Sequence, residues 1–300
     1  MTTASSLKRQ KVSSKQIVER VMNIIFFVCG ITSILFVAVI TLYMLISGIP
    51  AIREVGIAQF LFGTVWAPTA SDPSFGILPM ILCSIVGTLG SVLIGVPLGV
   101  LTAVFICYMA PKKLEPLLTS AIELLAGIPS VVFGLVGAIV LVPLVGKLFH
   151  LSSGSTLLSA VLVLSVMILP TIVSVTITSL KAVPEEYTHG SLALGGTDTT
   201  TIFKMNLPAA KSGIITGIVL GVGRAIGETM AIIMVSGNVA NMPDLFKSAR
   251  FLTTGIVSEM GYAAGLHREA LFSIGLVLFI FIFLINLLLT RILKKDSSHQ

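Results

Sequence analysis

The chain has 300 residues, of which 55% are hydrophobic and 11% are charged, and its mean hydropathy is +1.05. This composition excludes a soluble protein, because a soluble domain cannot cover so much apolar surface, whereas the bilayer core accepts it. The formal net charge of +6 does not indicate a nucleic-acid partner, because the basic residues are divided among the ends of long apolar runs.

Six runs are long and apolar enough to cross a membrane, since a spanning helix needs about 20 mostly apolar residues. They are about Ile24–Ser47, Ile77–Cys107, Leu117–Val145, Leu157–Leu180, Gly213–Val235 and Leu271–Ile292. We therefore predict an all-α membrane protein with six transmembrane helices. The predicted permease domain covers residues 21–295, between a basic N-terminal segment, 1–20, and a cytoplasmic tail, 296–300.

The distribution of lysine and arginine predicts the orientation. If the N-terminus lies in the cytoplasm, thirteen basic residues fall inside, five fall outside, and Arg224 falls within a span. The inside residues are Lys8, Arg9, Lys11, Lys15, Arg20, Lys112, Lys113, Lys181, Lys204, Lys211, Arg291, Lys294 and Lys295, and the outside residues are Arg53, Lys147, Lys247, Arg250 and Arg268. This bias follows the positive-inside rule and places both termini in the cytoplasm.

The first outside loop, residues 48–76, carries the only tryptophan, Trp66, together with Phe60 and Phe62. Such aromatic residues are typical of the membrane–water interface. They also suit a docking surface for a partner on the outside. The sequence leaves both interpretations open.

The third run contains Glu123 and, a few residues later, Pro129 between Gly127 and Gly134. These residues predict a disturbed helix, and broken helices at membrane depth are tolerated where they line a cavity. Glu123 is therefore a candidate pathway residue. A position near the inner interface is the alternative.

The inside loop, residues 181–212, has the chemistry of an ordered element rather than a flexible linker. Pro184 suits the first position of a helix, where its missing N–H is not needed. Gly195 and Gly196 suit the end of that helix, because glycine tolerates the left-handed cap. The loop is therefore predicted to start with a short helix and a glycine turn.

The second half of this loop is predicted to be helical as well. Thr197 or Asp198 can cap a second short helix, and Asn206 is predicted to cap the helix that leads into the membrane. A rigid helix–turn–helix can transmit a push from a cytoplasmic partner. A plain interfacial connection between two spans is the alternative.

The fifth run, "GIVLGVGRAIGETMAIIM", carries two charged residues, Arg224 and Glu228. In a continuous helix, residues four apart share a face, and Gly213, Gly217 and Gly221 fall on the same side at about 100° per residue. Because glycines at this spacing let helix backbones approach closely, this face is predicted to point into the protein.

The two charges have more than one interpretation. They can form an ion pair that fixes helix packing, or mark a substrate pathway or gate together with Thr229. The planar guanidinium of Arg224 suits an oxyanion. A carboxylate such as Glu228 can accept the proton that phosphate retains at neutral pH and that sulfate lacks. The sequence alone does not separate phosphate contact from a latch.

A longer outside loop, residues 237–269, separates the fifth run from the sixth. Cys29, Cys83 and Cys107 lie within apolar runs and have no metal-like spacing, so they are predicted to be small buried residues. Neither a metal nor another cofactor is predicted.

The inside loop resembles the cytoplasmic docking loop of the membrane subunits of ABC importers. The resemblance rests on "HGSLALGG" and, about a dozen residues after Gly195, on Leu207-Pro208. His189 departs from the family, which usually has a glutamate there, and Glu186 is a candidate substitute for it. The residues to which the resemblance assigns docking into an ATPase subunit are Glu186, His189, Gly190, Ser191 and Gly195.

The sequence lacks a nucleotide-binding glycine loop of the GxxxxGK[ST] type. Before Lys211-Ser212, the two glycine positions are occupied by Met205 and Ala210. ATP-driven transport by this chain would therefore require an ATPase on a separate subunit, and the chain itself is not predicted to be an enzyme.

Several stretches between about residues 60 and 280 resemble the PstC-type permeases of phosphate-specific ABC importers. They are "FLFGTVWAP", "FGILPMILCSIVGTL", "IELLAGIPSVVFG", "SLALGGTDT", "GRAIGETMA" and "GLHREALFSIGLVLF". "GRAIGETMA" is the most specific, because the second permease of such systems usually continues its Gly-Glu-Thr with Ala-Pro. The resemblance implies a type I ABC importer permease fold with cytoplasmic coupling helices, and an association of Arg224 and Glu228 with transport.

The resemblance also implies a set of partners. They are a second, related permease, two ATPase subunits, an extracytoplasmic phosphate-binding protein, inorganic phosphate and the lipid of a bacterial or archaeal cytoplasmic membrane. The alternatives are an importer permease for phosphonate, sulfate or molybdate, a secondary carrier or channel that uses Arg224 and Glu228 without an ATPase, and a membrane scaffold that transports nothing.

Overall fold

The computed structural model describes residues 14–297, which form helices, short loops and one small hairpin. The chain divides into two units, Met1–Ser47 and Gly48–Gln300. Helix α1 (Ser14–Val55) supplies the described part of the first unit, and its side chains from 18 to 40 are all exposed and mostly apolar. A helix that is apolar on all sides suits contact with lipid. The predicted segment 1–20 lies largely outside the described residues.

Near its start, the second unit contains a short helix and a two-stranded hairpin. Helix α2 (Ile57–Phe62) leads into two antiparallel strands, β1 (Trp66–Ala67) and β2 (Ser74–Phe75), which pair Trp66 with Phe75. We call this end of the unit the hairpin face. Its core contains Ala51, Phe60, Phe75, Ile77, Met80, Leu252, Ala270, Leu271 and Ile274.

The second and third predicted runs differ in continuity. Helix α3 (Leu78–Val104) continues through Pro97 and ends in a π-helical turn (Phe105–Met109). The third run breaks at Ile128 and Pro129, which are extended with ψ of 128° and 139°. The predicted disturbance at Pro129 is therefore confirmed. Its pieces are α4 (Glu115–Gly127), α5 (Ser130–Val136), a π-helical turn (Gly137–Leu141) and α6 (Val142–Leu148).

Helix α7 (Leu157–Lys181) forms the centre of the second unit, because about 67% of its most apolar stretch is buried. Helix α3 packs along it through small residues. A Cβ atom at Gly95 would lie 2.7 Å from the side chain of Ile168, so a larger residue there would separate the two helices. Within the second unit, helix α7 is thus the element around which the other helices pack.

The inside loop contains short helices, as predicted. They are α8 (Glu185–Ala193), α9 (Asp198–Thr201), a π-helical turn (Ile202–Asn206) and α10 (Leu207–Ala209). The stretch Asp198–Ala209 then bends by 69° into the next span. The prediction that Asn206 caps a helix is wrong: its backbone is helical and its buried side chain donates from Nδ2 to Thr188 Oγ1 at 3.2 Å.

Helix α11 (Lys211–Gly227) packs on α7 through its glycines. A Cβ atom at Gly217 would lie 3.1 Å from Val175, and one at Gly221 would lie 3.0 Å from Ile172. The glycine face of the fifth run therefore points into the protein, as predicted.

The chain ends with three helices, α12 (Met230–Val235), α13 (Leu252–Glu259) and α14 (Gly265–Ser297). Within residues 14–297, five helices are long and apolar enough to cross a membrane, or up to six spans if the bent pair Asp198–Ala209 and Lys211–Gly227 counts as one. The prediction of an all-α membrane protein is confirmed, and the five to six candidate spans agree with the six transmembrane helices predicted.

Candidate functional site

The fifth predicted run is not one helix. Helix α11 ends at Gly227 and α12 begins at Met230, and Glu228 between them is extended (φ −70°, ψ 134°). The prediction that Arg224 and Glu228 lie on one face of a continuous helix is therefore wrong. No proline lies at this break, and contacts of Glu228 stabilise it.

Glu228 makes two contacts that hold the break. Its buried carboxylate accepts a hydrogen bond from the backbone N–H of Ala231, with Oε1 at 3.0 Å from the nitrogen. Its backbone carbonyl oxygen accepts from Thr253 Oγ1 at 2.9 Å. Because the first N–H groups of a helix have no partner within that helix, the carboxylate acts as a cap for α12.

Arg224 points to a different neighbour. It is half-buried on α11, and its Nη1 donates to Thr171 Oγ1 of α7 at 3.4 Å. Among the ion pairs of the described residues, none joins Arg224 to Glu228. A guanidinium has five N–H donors in a planar fork, so this long contact engages one of them. An ion pair between Arg224 and Glu228, one of the interpretations that the sequence left open, is therefore not formed.

Thr229 lies in the break itself. It is half-buried, and its hydroxyl donates over 3.4 Å to the carbonyl oxygen of Gly227. Thr229 thus lies one residue from the capping carboxylate of Glu228. Its role in the pathway stays a prediction.

The halves of the third and fifth spans that follow the two breaks pack against each other. Helix α5 contacts α12, and the approach is close because a Cβ atom at Gly134 would lie 2.8 Å from the Cα atom of Ala231. Helix α5, which follows the break at Pro129, is therefore in contact with α12, which follows the break at Glu228. A pair of broken spans in the bundle is the arrangement that lines binding sites and pathways in transporters.

Glu123 lies elsewhere. It is exposed on α4 and shares a shallow cavity with Glu115 and Lys181, whose side chains form an ion pair at 2.6 Å. Lys181 is the last residue of α7, directly before the inside loop. This placement favours the alternative position of Glu123 near the inner interface, and its role in the pathway stays a prediction.

The inside loop is held by its own hydrogen bonds. Gly195 adopts a left-handed conformation (φ 83°) and ends α8, as predicted. Thr197 Oγ1 accepts from the N–H of Thr200 at 3.2 Å and caps α9, again as predicted. The hydroxyls of Ser191 and Thr201 lie 2.7 Å apart and tie the two helices together. The loop is therefore a rigid unit.

The surface of this loop is well exposed. Glu186, His189 and Gly190 are all exposed on α8, and Leu194 at its end has 91% of its surface exposed. His189 Nε2 lies 3.8 Å from a carboxylate oxygen of Glu185, one residue before the glutamate that the sequence suggested as its substitute. An exposed leucine on a rigid turn suits insertion into a partner, since it gains burial without loss of flexibility.

The structure also contains a buried polar cluster that the sequence did not predict. Glu259 is 5% exposed and its carboxylate accepts from Trp66 Nε1 at 2.9 Å and from Arg250 Nη1 at 2.5 Å. His267 Nε2 lies 2.8 Å from the same carboxylate. Trp66 is 193 residues from Glu259 along the chain, so local patterns carried no signal of this contact. Trp66 is half-buried and anchors the hairpin face.

The loop before α13 is stabilised by contacts among residues 244–247. The carboxylate of Asp244 accepts from the N–H of Phe246 at 3.0 Å and lies 3.4 Å from Lys247 Nζ. The backbone hydrogen bond, aided by the ammonium, lowers the pKa of the Asp244 carboxyl. In the part of the chain that the structure describes, no group of three His, Cys, Asp or Glu side chains is placed to hold a metal ion.

Taken together, broken apolar spans with a charged break and a rigid exposed loop define a multi-pass membrane transport subunit. Residues 95–296 match the family described as binding-protein-dependent transport system inner membrane component. The chain belongs to this family. It is a permease subunit of the inner membrane.

Individual relatives and structures are similar over most of the chain. A probable ABC transporter permease protein, YqgH, of Bacillus subtilis is 40% identical, with 88% of each chain covered. The phosphate transport system permease protein PstC of Xylella fastidiosa (strain 9a5c) is 35% identical, with 86% of each covered. The crystal structure of a bacterial ABC transporter involved in the import of the polysaccharide alginate matches with a TM-score of 0.58 at 14% identity, over 92% of this chain and 99% of that chain. The fold is that of type I ABC importer permeases, as the resemblance implied.

Proposed function

We propose that this chain is the permease subunit of an ATP-driven importer of inorganic phosphate and forms half of its translocation pathway. The observation that carries the proposal is the break at Glu228 with Arg224 one helical turn before it, inside a bundle whose third span is broken as well. Relatives that share a third of their residues with this chain over most of its length are named as phosphate transport permeases, which supports phosphate as the substrate.

Arg224 is the residue best suited to meet the anion. A guanidinium offers paired donors to two oxygens of one phosphate and stays charged inside a membrane domain. In α11 it is half-buried, so it can face a path through the bundle while most of its stem is shielded from lipid. Glu228 is assigned a different part. Its carboxylate fixes the start of α12, and Thr229 borders the same break.

ATP is hydrolysed by a separate subunit in this proposal. The rigid inside loop docks on it through Glu186, His189, Gly190, Ser191 and Gly195, with Leu194 as the apolar contact. Ordered hydrogen bonds within the loop support this assignment, because a push from the partner then reaches α11 through the 69° bend.

The complete complex is proposed to contain further parts. They are a second, related permease in a heterodimer, two ATPase subunits and an extracytoplasmic phosphate-binding protein. The predicted orientation puts both termini and residues 181–212 in the cytoplasm, and residues 48–76 and 237–269 outside, with the hairpin face toward the binding protein. The charge distribution along the sequence supports this orientation.

The test is uptake of labelled phosphate into liposomes that contain the complete complex. Arg224→Ala is expected to abolish ATP-dependent uptake while ATP hydrolysis continues, because the docking loop is intact. Arg20→Ala, at an exposed arginine in the first turns of α1, is the matched control and is expected to retain uptake. Wild-type uptake without any ATPase subunit would favour the secondary carrier. Import of sulfate or molybdate instead of phosphate would reassign the substrate.

A further inference from the structure

One short helix connects the hairpin face to the break in the fifth span. Helix α13 carries Thr253 near its start and Glu259 at its end, six residues apart, or about 9 Å along the helix axis. Thr253 contacts the break, and Glu259 contacts the hairpin. A single rigid element therefore touches both regions.

The first contact of α13 is with Glu228. Thr253 is 7% exposed, and its hydroxyl donates to the Glu228 carbonyl oxygen at 2.9 Å. The carboxylate of the same residue caps α12 through Ala231. A displacement of Thr253 would therefore move the residue that defines where α12 begins.

The start of α13 also contacts α3, through one hydrogen bond and one ring contact. The N–H of Leu252 donates to Ser84 Oγ at 3.0 Å. The ring of Phe251 lies over Gly87, where an added Cβ atom would be 2.4 Å from the ring. Thr254 Oγ1 accepts from the N–H of Phe251 at 3.0 Å and stabilises the first turn.

The other end of α13 is held by the buried cluster around Glu259. Its carboxylate contacts three side chains from three segments, Trp66, Arg250 and His267. Arg250 also donates from Nε to the carbonyl oxygen of Asn238, just after α12, at 2.9 Å. Removing one partner of a buried charge is costly, so this end of α13 follows the hairpin face when that face moves.

We propose that Thr253 is a positioning residue that couples movement of the hairpin face to the break beside Arg224. Thr253 touches no substrate in this scheme and acts through Glu228. The hydroxyl is the required group, because it supplies the hydrogen bond to a carbonyl oxygen that lies outside regular helix. The inference rests on the proposed function, since the quantity that Thr253 controls is phosphate import per ATP hydrolysed.

The test compares three variants with wild type in liposomes containing the complete complex, with labelled inorganic phosphate as the probe. Thr253→Val removes the hydroxyl and keeps the shape, and we expect the phosphate imported per ATP to fall about fivefold, the factor expected for one net hydrogen bond. Thr253→Ser keeps the hydroxyl and is expected to retain the ratio. Thr216→Val makes the same change at an exposed site on α11, where the hydroxyl donates to the carbonyl oxygen of Ser212 in the same helix, and is the matched control.

The outcomes separate this inference from the proposed function. An unchanged ratio in Thr253→Val, with wild-type import intact, overturns the coupling role alone. A wild-type complex that imports no phosphate overturns the proposed function and this inference with it. If Thr253→Val does not assemble, Trp66→Phe decides, because it removes one donor to Glu259 at the far end of α13. A lower ratio in Trp66→Phe supports the relay, and an unchanged ratio overturns it.

Discussion

Arg224 and Glu228 are four residues apart but serve different neighbours. The Arg224 guanidinium contacts α7 through Thr171, whereas the Glu228 carboxylate is turned toward the N-terminus of α12. A carboxylate at a helix start is favoured by the helix dipole as well as by the hydrogen bond to the backbone. The two charges therefore have separable roles, which single substitutions can distinguish.

Two substitutions of Glu228 separate its cap from its charge. Glu228→Gln retains a side-chain oxygen that can accept from the N–H of Ala231, whereas Glu228→Ala removes the cap, which costs about 1 kcal/mol. We expect the midpoint of thermal unfolding of the purified complex to fall more for Glu228→Ala than for Glu228→Gln. Equal midpoints for the two variants would contradict the capping role.

Phosphate uptake by the same pair of variants reports on the charge. Import at the wild-type rate by Glu228→Gln would mean that transport requires the capping oxygen of this side chain and not its negative charge. Loss of import by a stable Glu228→Gln complex would place the carboxylate charge in the pathway or its gate.

At the scale of elements, the two breaks differ in how far the sequence reveals them. Pro129 marks the first, because proline cannot continue a helix through its missing N–H and its ring. The second has no proline, and Gly227-Glu228-Thr229 fits a helix by period, but the break is stabilised by a hydrogen bond from Thr253, 25 residues along the chain. Tertiary contacts thus override a local pattern.

The same distinction holds for the loops. The inside loop was predictable because its caps and glycine turn are local: Gly195 and Thr197 act on residues within a few positions. Asn206 was assigned wrongly because its partner, Thr188, is 18 residues away. The cluster around Glu259 was missed for the same reason, and the isolated Trp66 was its one visible sign.

The contact between α5 and α12 yields a prediction about packing. Gly134→Ala would place a Cβ atom 2.8 Å from the Ala231 backbone and 2.9 Å from Met234 Sδ, so the helices must separate. We expect a loss of roughly 1–3 kcal/mol in stability, as for other overpacked sites, together with reduced uptake. The unfolding midpoint of the purified complex measures the first effect.

Gly127→Ala is the matched control for that experiment. Gly127 ends α4 on the other side of the Pro129 break, and a Cβ atom there would meet no atom within 4 Å. A lower midpoint for Gly127→Ala than for Gly134→Ala would contradict close packing of α5 on α12.

At the scale of the whole molecule, the proposed function requires that the inside loop bind an ATPase partner. Leu194 is 91% exposed, so Leu194→Asp should leave the unfolding midpoint of the isolated permease unchanged. If Leu194 enters a groove of the partner, the aspartate must be buried there without a counter-charge, and affinity should fall about tenfold or more. Binding of the purified ATPase to the reconstituted permease measures this. Leu245→Asp, at an exposed leucine whose carbonyl oxygen accepts from the N–H of Leu158 in α7, is the control and should bind normally. Unchanged ATPase affinity in Leu194→Asp would remove this residue from the docking surface and leave the loop as a connection between spans.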